Sequence, residues 1–96
     1  MSIKSRSRPA IHYVTFGQSH HHTIEGQDYG PGCVATYMAL NATQGRAIAF
    51  ALFNKQFCFE YHGTEFDTDS LNFFSEGFKA VPQFFVEKLP EFADAE

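Results

Sequence analysis

The chain of 96 residues is short of cysteine (two), of lysine and arginine (seven together), and of long apolar runs. Each shortage excludes something. The most apolar stretch, Ala47 to Phe53, falls far below the roughly 18 residues that a membrane-spanning helix needs. Lys4, Arg6 and Arg8 are basic, but no apolar segment follows them, so no secretory leader is expected and a cytoplasmic location is. In that setting Cys33 and Cys58 are expected as free thiols rather than as a disulfide. The glycines at 26, 30 and 32 open no helix with a following Lys-Ser/Thr, which excludes a phosphate-binding loop. Neither CxxC nor HxxxH nor HExxH spacing occurs, and no repeat or heptad array is present.

What the chain has in excess is phenylalanine, twelve of them beside four tyrosines. A buried aromatic ring removes about 150–250 Å² from water, so a few of these supply most of a small core. A body this size cannot hide them all, and some are expected at an interface. Charge is unevenly placed. Residues 1–59 carry a net of +3 and residues 60–96 a net of −7, giving the overall −4. The acidic half suits docking on a basic partner surface, such as that of a nucleic-acid-binding complex. The candidate interface residues are Glu65, Asp67, Asp69 and Glu76, with the aromatics Phe73 and Phe84. Direct nucleic-acid binding fits poorly, because three of the seven basic residues fall within the first eight positions.

Local patterns divide the chain into a basic arm over residues 1–9, expected to be disordered, one domain over 10–90, and an acidic tail over 91–96. Ala10 to Phe16 is β-branched and aromatic and reads as a strand. Residues 17–32 hold four glycines and His20-His21-His22, and read as a long loop with a short extended stretch near Thr23-Ile24. Cys33 to Leu40 alternates and reads as a strand, with a helix over 33–43 as the rival. Arg46–Phe53 and Gln56–His62 both show period two and are joined by Asn54-Lys55, which predicts a tight hairpin. Asp67, Thr68 and Asp69 then offer a helix start. Leu71, Phe74, Phe78, Val81, Phe85 and Leu89 follow at spacings of three and four, interrupted by Gly77 and Pro82 and ended by Pro90. The fold expected is α+β: a three- to four-stranded antiparallel meander with one or two C-terminal helices on one face.

Three groups of residues are candidates for chemistry. His20 and His22 share a face if their segment is extended, and His12 and His62, with Cys33 and Cys58, offer nitrogen and sulfur donors of the kind zinc takes. Cys58, Glu60 and His62 fall on one strand face, where a carboxylate can tune a histidine. The segment Gln27-Asp-Tyr-Gly-Pro-Gly-Cys33 resembles the nucleophile segment of papain-like cysteine hydrolases. That resemblance spans seven residues and implies Cys33 as nucleophile at a helix start, Gln27 as oxyanion donor, and His62 as base.

No catalytic set is complete, and the expectation that follows is a non-enzymatic protein-binding or inhibitory module, with homodimerisation compatible. Small acidic domains without motifs occur among phage and mobile-element proteins that block host complexes, such as anti-CRISPR proteins. A cysteine hydrolase or transferase built on Cys33, or a metal-dependent sensor using His20, His22, His12 and His62, are the alternatives.

Overall fold

The computed structural model describes residues 9–54, 56–67, 69, 72 and 74–93. The predicted disordered arm lies outside them except for Pro9, as do Lys55, Thr68, Leu71, Phe73 and the end of the acidic tail.

The elements run β1 (Ala10–Thr15), β2 (His22–Ile24), β3 (Gln27–Tyr29), β4 (Cys33–Ala39), α1 (Ala42–Phe53), β5 (Phe59–His62), a 3-10 turn (Gly63–Glu65), β6 (Gly77–Ala80), α2 (Gln83–Val86) and α3 (Pro90–Ala93). The class is α+β, with a four-stranded sheet in the order β5-β1-β4-β6 and a separate β2-β3 hairpin. β1 lies antiparallel to both β4 and β5, but β4 and β6 are parallel. The sheet is therefore mixed, and the all-antiparallel meander is corrected.

Two parts of the sequence fold against expectation. Arg46–Phe53 is not a strand of a hairpin but the body of α1. Asn41 caps this helix, its side chain accepting from the Gln44 N–H at 2.8 Å. Asn54 ends it with φ +60. The buried positions, Gln44, Gly45, Ile48, Ala49 and Phe53, recur at helical spacing. Ile48, Phe50 and Leu52 alternate with alanines only by coincidence of composition, and alanine is the strongest helix former. The C-terminal stripe is the second correction. Gly77 takes φ +68, a turn conformation, and residues 77–80 then extend along the edge of β4. Pairing with that edge satisfies backbone groups that a helix would have left open. Val81 N–H continues the ladder to Thr36 O at 2.8 Å. Beyond it the Gln83 side chain takes over, accepting from Met38 N–H at 3.0 Å. Pro90 opens α3 rather than ending a helix, consistent with its fitness for a first helical turn.

The strands read from period two, β1, β4 and β5, are present, as is extended structure at Thr23-Ile24. The β2-β3 turn is Glu25-Gly26, both with positive φ, as a two-residue hairpin turn requires. The core lies between α1 and one face of the sheet. Val14 of β1 and Phe16 just after it, Cys33, Ala35, Tyr37 and Ala39 of β4, and Ile48, Ala49 and Phe53 of α1 form it, closed by Val81 and Val86. Phe16 meets Phe53 edge-on at 4.9 Å between ring centroids. Gln44 ties α3 to the start of α1 by donating to Phe92 O at 2.7 Å.

Candidate functional site

Alternation along β1 and β5 sends His12, Glu60 and His62 toward α1, and sends Ile11, Tyr13, Thr15, Phe59 and Tyr61 to the opposite face. Each face carries one candidate.

On the helix side, His12 is fully buried and opposite His62 in the strand register. Its Nε2 lies 3.0 Å from Glu60 Oε1 and its Nδ1 lies 3.4 Å from His62 Nδ1. A carboxylate oxygen accepts, so His12 donates from Nε2 and its Nδ1 accepts from His62. Burial, and secondarily His62, lower the pKa of His12 to about 4, with Glu65 pulling the other way. Glu60 also reaches Arg46 of α1 at 3.7 Å. The Tyr37 ring lies 5.4 Å from that of His12, and its hydroxyl donates to Gly45 O at 2.7 Å. Desolvation raises the Tyr37 phenol far above its ordinary value. This chain of side chains fastens β5, β1, β4 and α1 to one another, with His12 fully buried at its centre.

Of the expected face Cys58, Glu60 and His62, the structure brings Glu60 and His62 together through His12. Cys58 precedes β5, exposed, with its N–H donating to Thr15 O at 2.7 Å. Of the expected metal-site histidines, His12 and His62 meet, but His22 does not join them. His22 packs between Phe16 and Phe53, at 5.8 and 5.0 Å, with Nε2 bonded to Gln56 O at 2.8 Å. Phe53 is eight residues along α1 from Gly45, about 12 Å at the helical rise, so His22 and His12 occupy different ends of the helix. Among the described residues no group of three or more His, Cys, Asp or Glu is placed to hold a metal ion.

Cys33 opens a strand, not a helix, and is buried. Its sulfur contacts Gly30 O at 3.4 Å, and desolvation raises its pKa. It precedes the Val34–Thr15 pair, while His62 pairs with His12, whose partner on the other side is Tyr37, so four strand residues, about 13 Å, separate Cys33 from His62 along the strand direction. Gln27 lies on β3 with its amide donating to Tyr29 Oη at 3.2 Å. The three papain-like positions are not assembled.

The other sheet face is only partly covered: Thr15 and Val34 on it are buried, and Phe66 packs over Tyr13, while its remaining apolar side chains stay exposed. Ile11 pairs with Met38, and Val34 with Phe78, all on this side. Ile11, Met38, Phe59 and Phe78 are 41, 36, 59 and 45 % exposed. Tyr13 links the two halves, stacked on Phe66 at 4.6 Å and 5.7 Å from Phe78. At the β5 end the face deepens into a cleft of about 340 Å³ lined by Thr15, Phe59, Tyr61, Phe66 and Phe74, with Glu65 and Asp67 among its walls. Of the expected interface residues, Glu65 and Asp67 line this cleft and Asp69 bonds Asp67 Oδ1 through its N–H at 3.0 Å. Glu76 instead pairs with Lys79 at 2.6 Å, Phe84 is exposed on α2, and Phe73 lies outside the described residues. Sequence reading missed Ile11, Met38 and Phe78 as one surface, because β6 was expected to be helical. Comparison of the chain with protein families, with curated proteins and with solved structures returns no match.

Proposed function

We propose that this chain is a non-enzymatic protein-binding module that engages its partner through the exposed apolar part of the sheet face turned away from α1. The observation that carries the reading is the run of exposed apolar side chains on that face: Ile11 and Met38 side by side, Phe78 next to Tyr13, and Phe59 beyond. Single exposed apolar residues are ordinary, but several gathered on one sheet face mark a surface that a partner covers. Aromatic residues and methionine are enriched at the centres of such surfaces. Acidic residues at the β5 end, Glu65 and Asp67, give the face a sign and favour a basic partner. A small module that acts by occupying a partner's surface is what an inhibitor of a host complex, of the phage or anti-CRISPR kind, would be.

The test compares the unaltered protein with Ile11→Ser and Phe78→Ser in affinity capture, followed by measured binding to the protein recovered. Both positions are exposed, so folding is retained and is checked by circular dichroism. The reading holds if one defined partner is bound by the unaltered chain and weakened about tenfold or more by either substitution. Binding that is indifferent to both substitutions would overturn it.

A further inference from the structure

The cleft at the β5 end has a composition that narrows what enters it. Its walls are rings set at angles to one another: Phe59 and Tyr61 are 6.4 Å apart and tilted, and Tyr61 meets Phe66 edge-on at 5.5 Å. Among the described residues, Glu65 and Asp67 are its ionisable lining residues apart from Tyr61, and no lysine or arginine lines it. Glu65 Oε1 accepts from the His62 N–H at 3.0 Å, which fixes the carboxylate at the rim. At about 340 Å³ the cleft is at the small end of ligand pockets, about 300–1,000 Å³, a size suited to one side chain.

An apolar occupant would lie against two carboxylates without offering them an opposite charge. A cation meets both features at once: its charge faces Glu65 and Asp67, and its body lies on the electron-rich ring faces. Among side-chain cations, guanidinium is planar, stacks on aromatic rings, gives up hydration more readily than an ammonium, and donates through a fork that matches carboxylate oxygens.

Resting on the reading of the exposed sheet face as a protein-binding surface, we propose that this cleft receives an arginine side chain of the partner. The stem packs on Phe59 and Phe74, and the guanidinium lies against Tyr61 and Phe66 with its N–H groups directed to Glu65 and Asp67.

The experiment titrates the protein with the peptide acetyl-Gly-Arg-Gly-amide and follows ring and methyl resonances by NMR. The neutral isostere with citrulline in place of arginine, and the lysine peptide, serve as comparisons. The expected result is saturable shifts confined to the rings of Phe59, Tyr61, Phe66 and Phe74, absent with citrulline and weaker with lysine. The double variant Glu65→Gln/Asp67→Asn keeps shape and acceptors while removing charge, and is expected to weaken arginine binding by about tenfold. Phe59→Ala, at an exposed position, is expected to weaken it as well. Absence of saturable shifts, equal shifts with citrulline, equal affinity for lysine, or indifference to the double variant each overturn the proposal. The two readings fail separately. A partner released by Ile11→Ser or Phe78→Ser but held normally by Glu65→Gln/Asp67→Asn removes the arginine and keeps the binding face. A partner indifferent to the face substitutions removes the face itself.

Discussion

The His12 ring lies directly against Gly45, in the space that a side chain at position 45 would fill: a Cβ there would overlap Nδ1, Cε1 and Cγ of the ring. The ring cannot swing away cheaply, because Glu60 holds one nitrogen at 3.0 Å and His62 faces the other at 3.4 Å. A glycine within a helix is ordinarily a weakness of about 1 kcal/mol relative to alanine. Here it is the condition for α1 to approach β1.

Gly45→Ala is therefore expected to act against propensity. Overpacking a filled core costs about 1–3 kcal/mol, more than the helix gains. Urea unfolding should show a midpoint lowered by the equivalent of about 1–2 kcal/mol at unchanged slope. A raised midpoint would show that the ring has room to move.

Stability should fall on mild acidification. The His12 pKa is lowered in the folded chain to about 4 from an ordinary 6.5. Between those values the unfolded chain binds a proton that the folded chain does not, so stability rises with pH in that window. It is fully present above about pH 6.5 and is lost as pH falls toward 4, by about 3 kcal/mol from this group. Denaturation midpoints between pH 7 and pH 4 measure the loss, and His12→Asn should flatten the slope. Imidazole resonances assigned to His12 should titrate with a midpoint near 4.

The two thiols should differ sharply in reactivity. Cys58 is exposed, whereas Cys33 is buried and its pKa is raised by desolvation. The thiolate is the reacting species. Brief iodoacetamide treatment of the folded protein at neutral pH should modify Cys58 and spare Cys33, read by intact mass and peptide mapping. Fast modification of Cys33 would contradict its burial and return the cysteine-enzyme reading to consideration.

Tyr37→Phe removes the hydroxyl that donates to Gly45 O and should lower stability by about 1 kcal/mol. Alkaline titration gives an independent check. Burial raises the Tyr37 pKa, so above pH 10 the unfolded chain loses a proton that the folded chain keeps, and stability falls as pH rises. Ultraviolet difference absorbance should show a late tyrosine ionisation that vanishes in Tyr37→Phe.

Three of the four strands of the sheet were legible because their signal is local. β1, β4 and β5 each alternate, with β-branched or aromatic residues on at least one face. The same rule failed over residues 46–53, where Ile48, Phe50 and Leu52 alternate with alanines that fit a helix as well. Asn41 three residues ahead of Gln44 was the helix signal, and it outweighs an alternation of seven residues. Over residues 71–89 the spacing of three and four described no single element, because Gly77 and Pro82 divide the segment into a turn, a strand and a short helix. For the candidate site, alternation placed Glu60 and His62 on one face, but it did not supply His12, which comes from another strand.

What the sequence by itself determined was composition-borne and local: the α+β class, the strand character of β1 and β4, the acidic second half, and more aromatic surface than a small core can enclose. Phe59, Phe78 and Phe84 stand exposed as that excess requires. Only the tertiary structure decided that β6 runs parallel to β4, that His12 joins Glu60 and His62, and that Ile11, Met38 and Phe78 share one partly exposed face. The reason is physical. Alternation records which face a side chain takes, but not which strand lies beside it. The neighbours that matter here are separated by about fifty residues, 48 for His12 and Glu60 and 50 for His12 and His62. Pairings at that range are selected by burial across the whole sheet, not by any segment's own preference.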